Sequence, residues 1–171
     1  MRNLILFTAC TVVLAMAASA EAQTKFSGIC NQKKPDPNYT LPVGDAPGHS
    51  IMLGKTNCTW TKTELAGVAL KDEDDVFTSE MSGKTAHDKG YGVGNLANGD
   101  KYFVRFEGTT TLANNMPVSA TCTWTFTGGT GKVTGLTGKG TCTGKFDPTG
   151  AAVFDIQGSY QVPAAKAAKG K

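Results

Sequence analysis

Histidine is almost absent, with two residues, and only 18% of the 171 residues are charged. Neither His49 nor His87 has a neighbour at metal-ligand spacing, so both read as solvated imidazoles. The cysteines after the N-terminus, Cys30, Cys58, Cys122 and Cys142, lie too far apart for the close ligand pairs of a zinc site. No metal and no cofactor is expected. The net charge of +3 is spread along the chain apart from a basic tail. A nucleic-acid-binding protein carries a concentrated basic stripe, and the body of this chain has none. Beyond the first 22 residues no apolar run is long enough to span a bilayer. No segment carries convincing helical periodicity.

Glycine, in contrast, is abundant, with 21 residues, and threonine recurs throughout. That composition, with aromatics at spaced positions, favours short strands and tight turns. The length fits one domain with a sizeable core. Residues 1–22 read as a secretory signal peptide. Met1-Arg2-Asn3 is the positive start, Leu4 to Ala17 the apolar run, and Ala18-Ser19-Ala20 and Ala20-Glu21-Ala22 are small-x-small cleavage sites. The mature chain is therefore expected to be exported, to the periplasm or outside the cell. Of the five cysteines Cys10 leaves with the signal, and four remain. An even count in an exported chain reads as two disulfides, with three connectivities possible. Cys122–Cys142 is the preferred pair, leaving Cys30–Cys58.

Residues 23–48 hold Pro35, Pro37, Pro42 and Pro47 and read as an extended arm, with a short strand near Lys25–Ile29. A Cys30–Cys58 bond would tie that arm against the body. Ser50 to Glu64 reads as a strand bent at Gly54, with Thr56, Cys58, Trp60 and Lys62 on one face. Lys71 to Asp75 reads as an acidic loop. Val76 to Lys84 follows as a strand with Phe77, Ser79 and Met81 on one side. Thr85 to Leu96 carries Gly90, Gly92 and Gly94, which mark close backbone packing or a bulge. Asn98-Gly99-Asp100 is a turn. From Lys101 to Leu112, Tyr102, Val104, Phe106 and Gly108 share one face, and Phe103, Arg105 and Glu107 the other. After a turn at Asn114 to Pro117, Val118, Ala120, Cys122, Trp124 and Phe126 alternate with Ser and Thr. A glycine-rich reversal leads to a strand with Gly138, Gly140, Cys142, Gly144 and Phe146 on one face. Ala151 to Val162 is the last strand, with Phe154, Ile156, Tyr160 and Val162 inward. Residues 164–171 read as a disordered basic tail. Seven or eight such strands, each with one apolar face, close naturally into an antiparallel β-barrel over 49–163. Inward glycines make room for large aromatics opposite.

The segment from Phe126 to Gly140, FTGGTGKVTGLTGKG, resembles the allene oxide cyclase and dirigent barrel group, whose members carry such a glycine segment between two strands. The strand before it and the last strand fit the same order. The similarity spans roughly Asn95 to Val162 and is closest to small exported bacterial barrels with no settled activity. It implies a barrel of about eight strands and brings no catalytic residue. It also implies a hairpin centred near Lys132, with Cys122 and Cys142 ten residues to either side and opposite one another.

The candidates for chemistry each have a plain structural alternative. The Gly128–Gly131 loop lacks the Lys-Ser/Thr and helix of a phosphate cradle and reads as a turn. Asp72-Glu73-Asp74-Asp75 lacks the spacing and glycine of a calcium loop and reads as a solvated turn. His87-Asp88 reads as surface. Arg105 with Glu107, and Asp155 with Gln157, fall on the face opposite the aromatics and read as exterior. Asn38-Tyr39-Thr40 and Asn57-Cys58-Thr59 are glycosylation sequons, relevant in a eukaryotic secretory pathway. Trp60, Tyr102, Phe106, Trp124, Phe126 and Tyr160 are the ligand-lining candidates, because a barrel of about eight strands just holds one small ligand. The leading expectation is non-catalytic binding of a small apolar ligand, or a structural role in the envelope. The alternatives are an isomerase or cyclase by analogy, and a protein-interaction module. A lumen holding an inward carboxylate or tyrosine pair favours the enzyme; a contiguous exposed apolar patch favours the interaction module.

Overall fold

The computed structural model describes residues 23–36 and 38–164. The expected signal peptide over 1–22, and the basic tail beyond Ala164, lie outside the described residues.

The protein is an antiparallel barrel. Its strands are β1 (Thr24–Gln32), β2 (Asn38–Pro42), β3 (Ser50–Thr61), β4 (Glu64–Leu65), β5 (Val68–Ser82), β6 (Thr85–Leu96), β7 (Lys101–Ala113), β8 (Met116–Gly129), β9 (Thr137–Phe146) and β10 (Ala152–Gln161). Eight of them form the wall, in the order β1, β3, β5, β6, β7, β8, β9, β10, and β10 pairs back onto β1. β2 continues the line of β1 along β3, and β4 folds back on the start of β5. Closure satisfies both edges of the sheet, which an open meander of this length would expose.

The turns follow the local chemistry. Asn114 and Asn115 both adopt positive φ (52° and 62°) and make a two-residue reversal between Ala113 and Met116. Asparagine tolerates that conformation, and the resulting turn matches the twist of a hairpin. The strand resumes at Met116, and a register shift at Leu112 accommodates Pro117.

Two expectations are corrected. Residues 23–48 are not an arm throughout. Thr24 to Gln32 is a full stave, paired with β10 over its whole length and with β3 from Ile29 onward. Phe26 and Cys30 point into the core, 4% and 5% exposed. The prolines that suggest an arm all lie after this stave, so the barrel begins at Thr24. Lys71 to Asp75 is likewise no loop. It runs mid-way along β5, paired to β3 on one side and β6 on the other. A shift of register between Leu70 and Asp72 turns Glu73 and Asp75 to the same inward face as Phe77 and Ser79.

Two disulfides join neighbouring staves, Cys30 to Cys58 and Cys122 to Cys142. Both lie on the inner face, so the first staples β1 to β3 within the wall. Cys122 and Cys142 are register partners. Replacing both by alanine is expected to cost about 3 kcal/mol, since the bond closes a short loop of the unfolded chain. Urea unfolding checks this, and an unchanged midpoint contradicts it.

One end of the barrel is closed. Leu65, Leu96, Val133 and Leu136 are fully buried there, beneath the β4–β5 hairpin and the 3₁₀ turn Gly131–Val133. At the other end inward apolar side chains stay partly exposed, among them Met52, Phe77, Met81, Phe146 and Phe154. On the outer wall the cross-strand pairs Tyr39–Leu53 and Leu41–Ile51 lie side by side, each residue about half exposed or more.

Candidate functional site in the barrel lumen

The glycines of β6 create the site. Gly90, Gly92 and Gly94 all face inward, and a side chain at any of them would collide with what lies opposite. Gly90 yields to Phe106 and Phe77, and Gly94 to the Tyr102 ring. Gly92 yields to Asp75 and Glu73, with Asp75 Oδ1 and Glu73 Oε1 only 2.5 and 2.9 Å from the point its Cβ would occupy.

Here two carboxyl groups converge in the core. Glu73 is 9% exposed and Asp75 4%. Trp60 Nε1 donates to Tyr102 Oη at 2.8 Å, and the Tyr102 hydroxyl donates to Glu73 Oε2 at 2.5 Å. The Asp75 carboxyl faces Glu73 and Gln32, and its Oδ1 has no hydrogen-bond partner among the described residues. Burial pushes the Glu73 carboxyl above its ordinary range, against the stabilising Tyr102 hydrogen bond. Burial and then the neighbouring Glu73 charge push Asp75 well above its own. Tyr102 is driven well above the phenolic range by burial and the same Glu73 charge. The pair therefore keeps a proton at pH values where exposed carboxyls have lost theirs.

A cavity of about 90 Å³ lies over these groups. Its lining includes Phe26, Trp60, Phe106, Trp124, Phe126 and Ile156, together with Gln32, Glu73 and Asp75. Of the six residues expected to line a ligand site, Trp60, Phe106, Trp124 and Phe126 border this cavity. Tyr102 and Tyr160 sit deeper, at the closed end, where Tyr160 Oη accepts from the Ala66 N–H at 2.9 Å. Phe26, Glu73, Asp75 and Gln32 escape the sequence reading, because they lie on the two stretches it takes for an arm and a loop. Continuing the alternation of Phe77, Ser79 and Met81 back by two steps finds Asp75 and Glu73.

The other candidates fall elsewhere. The Gly128–Gly131 loop is a cap held by the chain itself. Lys101 N–H donates to Thr130 Oγ1 at 2.8 Å, and Lys132 N–H to Asp100 Oδ2 at 2.9 Å. His49 sits between Asp45 and Glu80, at 2.6 and 3.2 Å, and both carboxylates raise its pKa. His87 is exposed, but on strand β6 and not in a loop. Its neighbour Asp88 is no surface residue: it faces inward nearer the mouth, accepts from Thr110 Oγ1 at 2.6 Å, and is pushed upward by burial. Arg105, Glu107, Asp155 and Gln157 point outward. The Asn57 amide is engaged with Glu73 O and Asp74 Oδ1, beside a bonded cysteine. Among the described residues no group of three or more potential ligands gathers for a metal.

No protein-family model and no characterised protein matches the sequence. Solved structures do match the fold. A protein of unknown function of the DUF3224 family from Shewanella oneidensis MR-1 superposes with a TM-score of 0.52 at 15% identity, over 84% of this chain and all of the other. The pterocarpan synthase dirigent protein GePTS1 superposes with a TM-score of 0.52 at 14% identity, over 92% of this chain and all of the other. The fold is a dirigent-like β-barrel. The likeness fixes the architecture.

The carboxyl pair makes stability depend on pH, and the sign follows from the shifts. Glu73, Asp75 and Asp88 have folded pKa values above their unfolded ones, so the folded state binds more protons above about pH 4. Their contribution is greatest at acid pH and is lost as pH rises through the folded values. His49, also raised, acts in the same direction. Asp45 and Asp147, held low by hydrogen bonds, act only at more acid pH. Lowering the pH from about 8 to about 5 is expected to raise the melting midpoint, and Asp75→Asn to flatten that dependence. A midpoint that falls over this interval contradicts the assignment.

Proposed function

We propose that this dirigent-like barrel is an exported protein, periplasmic or extracellular, that binds one small, largely apolar molecule in its lumen. The observation that carries the reading is the cavity itself: an aromatic-lined space at the open end of the barrel whose lining includes Asp75, a buried carboxyl with one oxygen lacking a partner among the described residues. Buried polar atoms are nearly always satisfied, and a ligand donor is one way to satisfy this one. At about 90 Å³ the cavity is smaller than pockets that enclose drug-sized ligands. It takes one end of a molecule, and the partly exposed mouth takes the rest. The two disulfides mark an oxidising compartment, in keeping with export.

The test is native mass spectrometry of the protein purified from its own host. A co-purifying small molecule is expected, and it should be absent when Ile156→Trp fills the lumen. Protein emerging at its bare mass in both forms argues against the reading. A protonated carboxyl in an apolar site also makes proton transfer to a bound molecule available. A recovered molecule that changes mass or retention on incubation with protein assigns turnover; one returned unchanged assigns binding alone.

The outer wall supports a second reading, an interaction surface at Tyr39, Leu41, Ile51 and Leu53, four neighbouring apolar side chains left to solvent. Leu41→Lys with Ile51→Lys is expected to leave the melting midpoint nearly unchanged and to abolish association in sedimentation. A wild-type protein that sediments as a monomer and captures no partner removes this reading.

A further inference from the structure

We propose that the molecule held in the lumen carries a protonated amine, and that the Glu73–Asp75 pair is its counter-charge. This rests on the reading of the lumen as a ligand site and narrows it to one class of ligand.

Gln32 of β1, Trp60 of β3, Tyr102 of β7 and the backbone of Gly92 on β6 are the neighbours of the pair. Among the described residues the other titratable group in contact with it is the Tyr102 hydroxyl, already committed to Glu73, while Asp74 on the same strand adds like charge to Asp75. Among the described residues no Lys, Arg or His lines the cavity. Lys55, Lys71, Lys89, Lys101, Arg105, Lys139 and Lys145 all stand on the outer wall of the staves. The third inward carboxyl, Asp88, lies towards the mouth on the same side of the lumen. The lumen thus has one acidic wall and one aromatic wall, with no cation of its own.

Asp75 supplies the independent sign of a ligand, since it lines the cavity and its buried Oδ1 has no hydrogen-bond partner among the described residues, although the carboxyl also meets Glu73 and Gln32. A hydroxyl could satisfy that oxygen but would leave the charge of the pair uncompensated. An ammonium group does both, and hydrogen bonds to charged groups are the stronger kind. The faces of Trp60, Phe26 and Trp124 nearby favour a cation over an anion through their ring quadrupoles. An anionic head group would meet only like charge.

The experiment compares benzylamine with benzyl alcohol, two probes of the same shape, by titration calorimetry on the intact protein. The amine is expected to bind about tenfold more tightly at about pH 8. That preference should shrink as pH falls and the pair takes up protons, while the amine remains charged. Asp75→Asn should remove the preference and leave alcohol binding in place, and Glu73→Gln should act in the same direction. Equal affinity for the two probes overturns the amine assignment and leaves the lumen site standing. Binding of neither probe overturns both. An amine preference that survives Asp75→Asn and Glu73→Gln places the ammonium elsewhere and also overturns the proposal.

Discussion

Gly140→Ala is expected to destabilise the barrel by about 3 kcal/mol or more, a large effect for a single methyl group. Gly140 on β9 faces Trp124 on β8 and Gly158 on β10 in register. The Trp124 indole lies across the two glycines. A Cβ at Gly140 would stand within van der Waals contact of the indole edge and of the Gln157 carbonyl oxygen. Gly158 is bounded in the same way, with Trp124 Cζ2 2.5 Å from its would-be Cβ. A flexible side chain could move aside, but the Gln157 carbonyl belongs to the sheet, and Trp124 is held between Phe26 and Phe126 with ring centroids 5.5 and 4.8 Å away. Its Nε1 also donates to the Thr141 carbonyl at 3.2 Å. Urea unfolding measures the loss. In a Trp124→Ala background the same substitution should cost less, because half of the collision is gone, while the carbonyl contact keeps the recovery partial. Strict additivity of the two changes would falsify the packing argument.

The same pairing of small and large residues explains which parts of the architecture can be read from the sequence. Between Lys101 and Phe146 the staves alternate, apart from register shifts at Phe103 and Leu112, and inward glycines face inward aromatics, so the aromatic lining of the lumen follows from a period of two. Two stretches break the rule locally. In β1 the inward set is Phe26, Gly28, Cys30 and Gln32, only one of them large and apolar, followed at once by a proline-rich segment. The long-range pairing of this stave with β10, which ends more than a hundred residues later, makes it part of the wall. In β5 the shifted register at Leu70 breaks the alternation just before the acidic run. Four consecutive acidic residues carry the composition of a solvated turn. What overrides composition is closure, since β3 and β6 flank this strand and leave every second residue no direction but inward. A functional carboxyl pair is thus hardest to see where the fold, and not the local sequence, buries it.

Tyr102→Phe is expected to cost roughly 3–5 kcal/mol at about pH 8, the other large effect. The ring itself would keep its place, since Gly94 leaves the slot for it and Phe126 packs against it edge-on at 5.6 Å. Only the hydroxyl is lost, and with it two buried partners at once. Trp60 Nε1 loses its acceptor, and Glu73 Oε2 loses its donor. Leaving a buried charged group without its hydrogen bond costs more than leaving a neutral one. The pH dependence separates these two parts. The Tyr102 hydrogen bond holds the Glu73 carboxyl down against burial, so without it Glu73 takes up its proton at higher pH and the variant loses stability more steeply as pH rises. As pH falls and the pair takes up its protons in both proteins, the difference should narrow towards the part owed to Trp60. Adding Trp60→Phe to the variant should then recover some of that remainder, because no indole N–H is left unpaired. Unfolding midpoints across this fall in pH provide the measurement. A cost below about 1 kcal/mol, or one independent of pH, would mean that Glu73 does not depend on Tyr102 to carry charge. The expected result would instead show Glu73 as the member of the pair whose charge depends on the Trp60–Tyr102 relay.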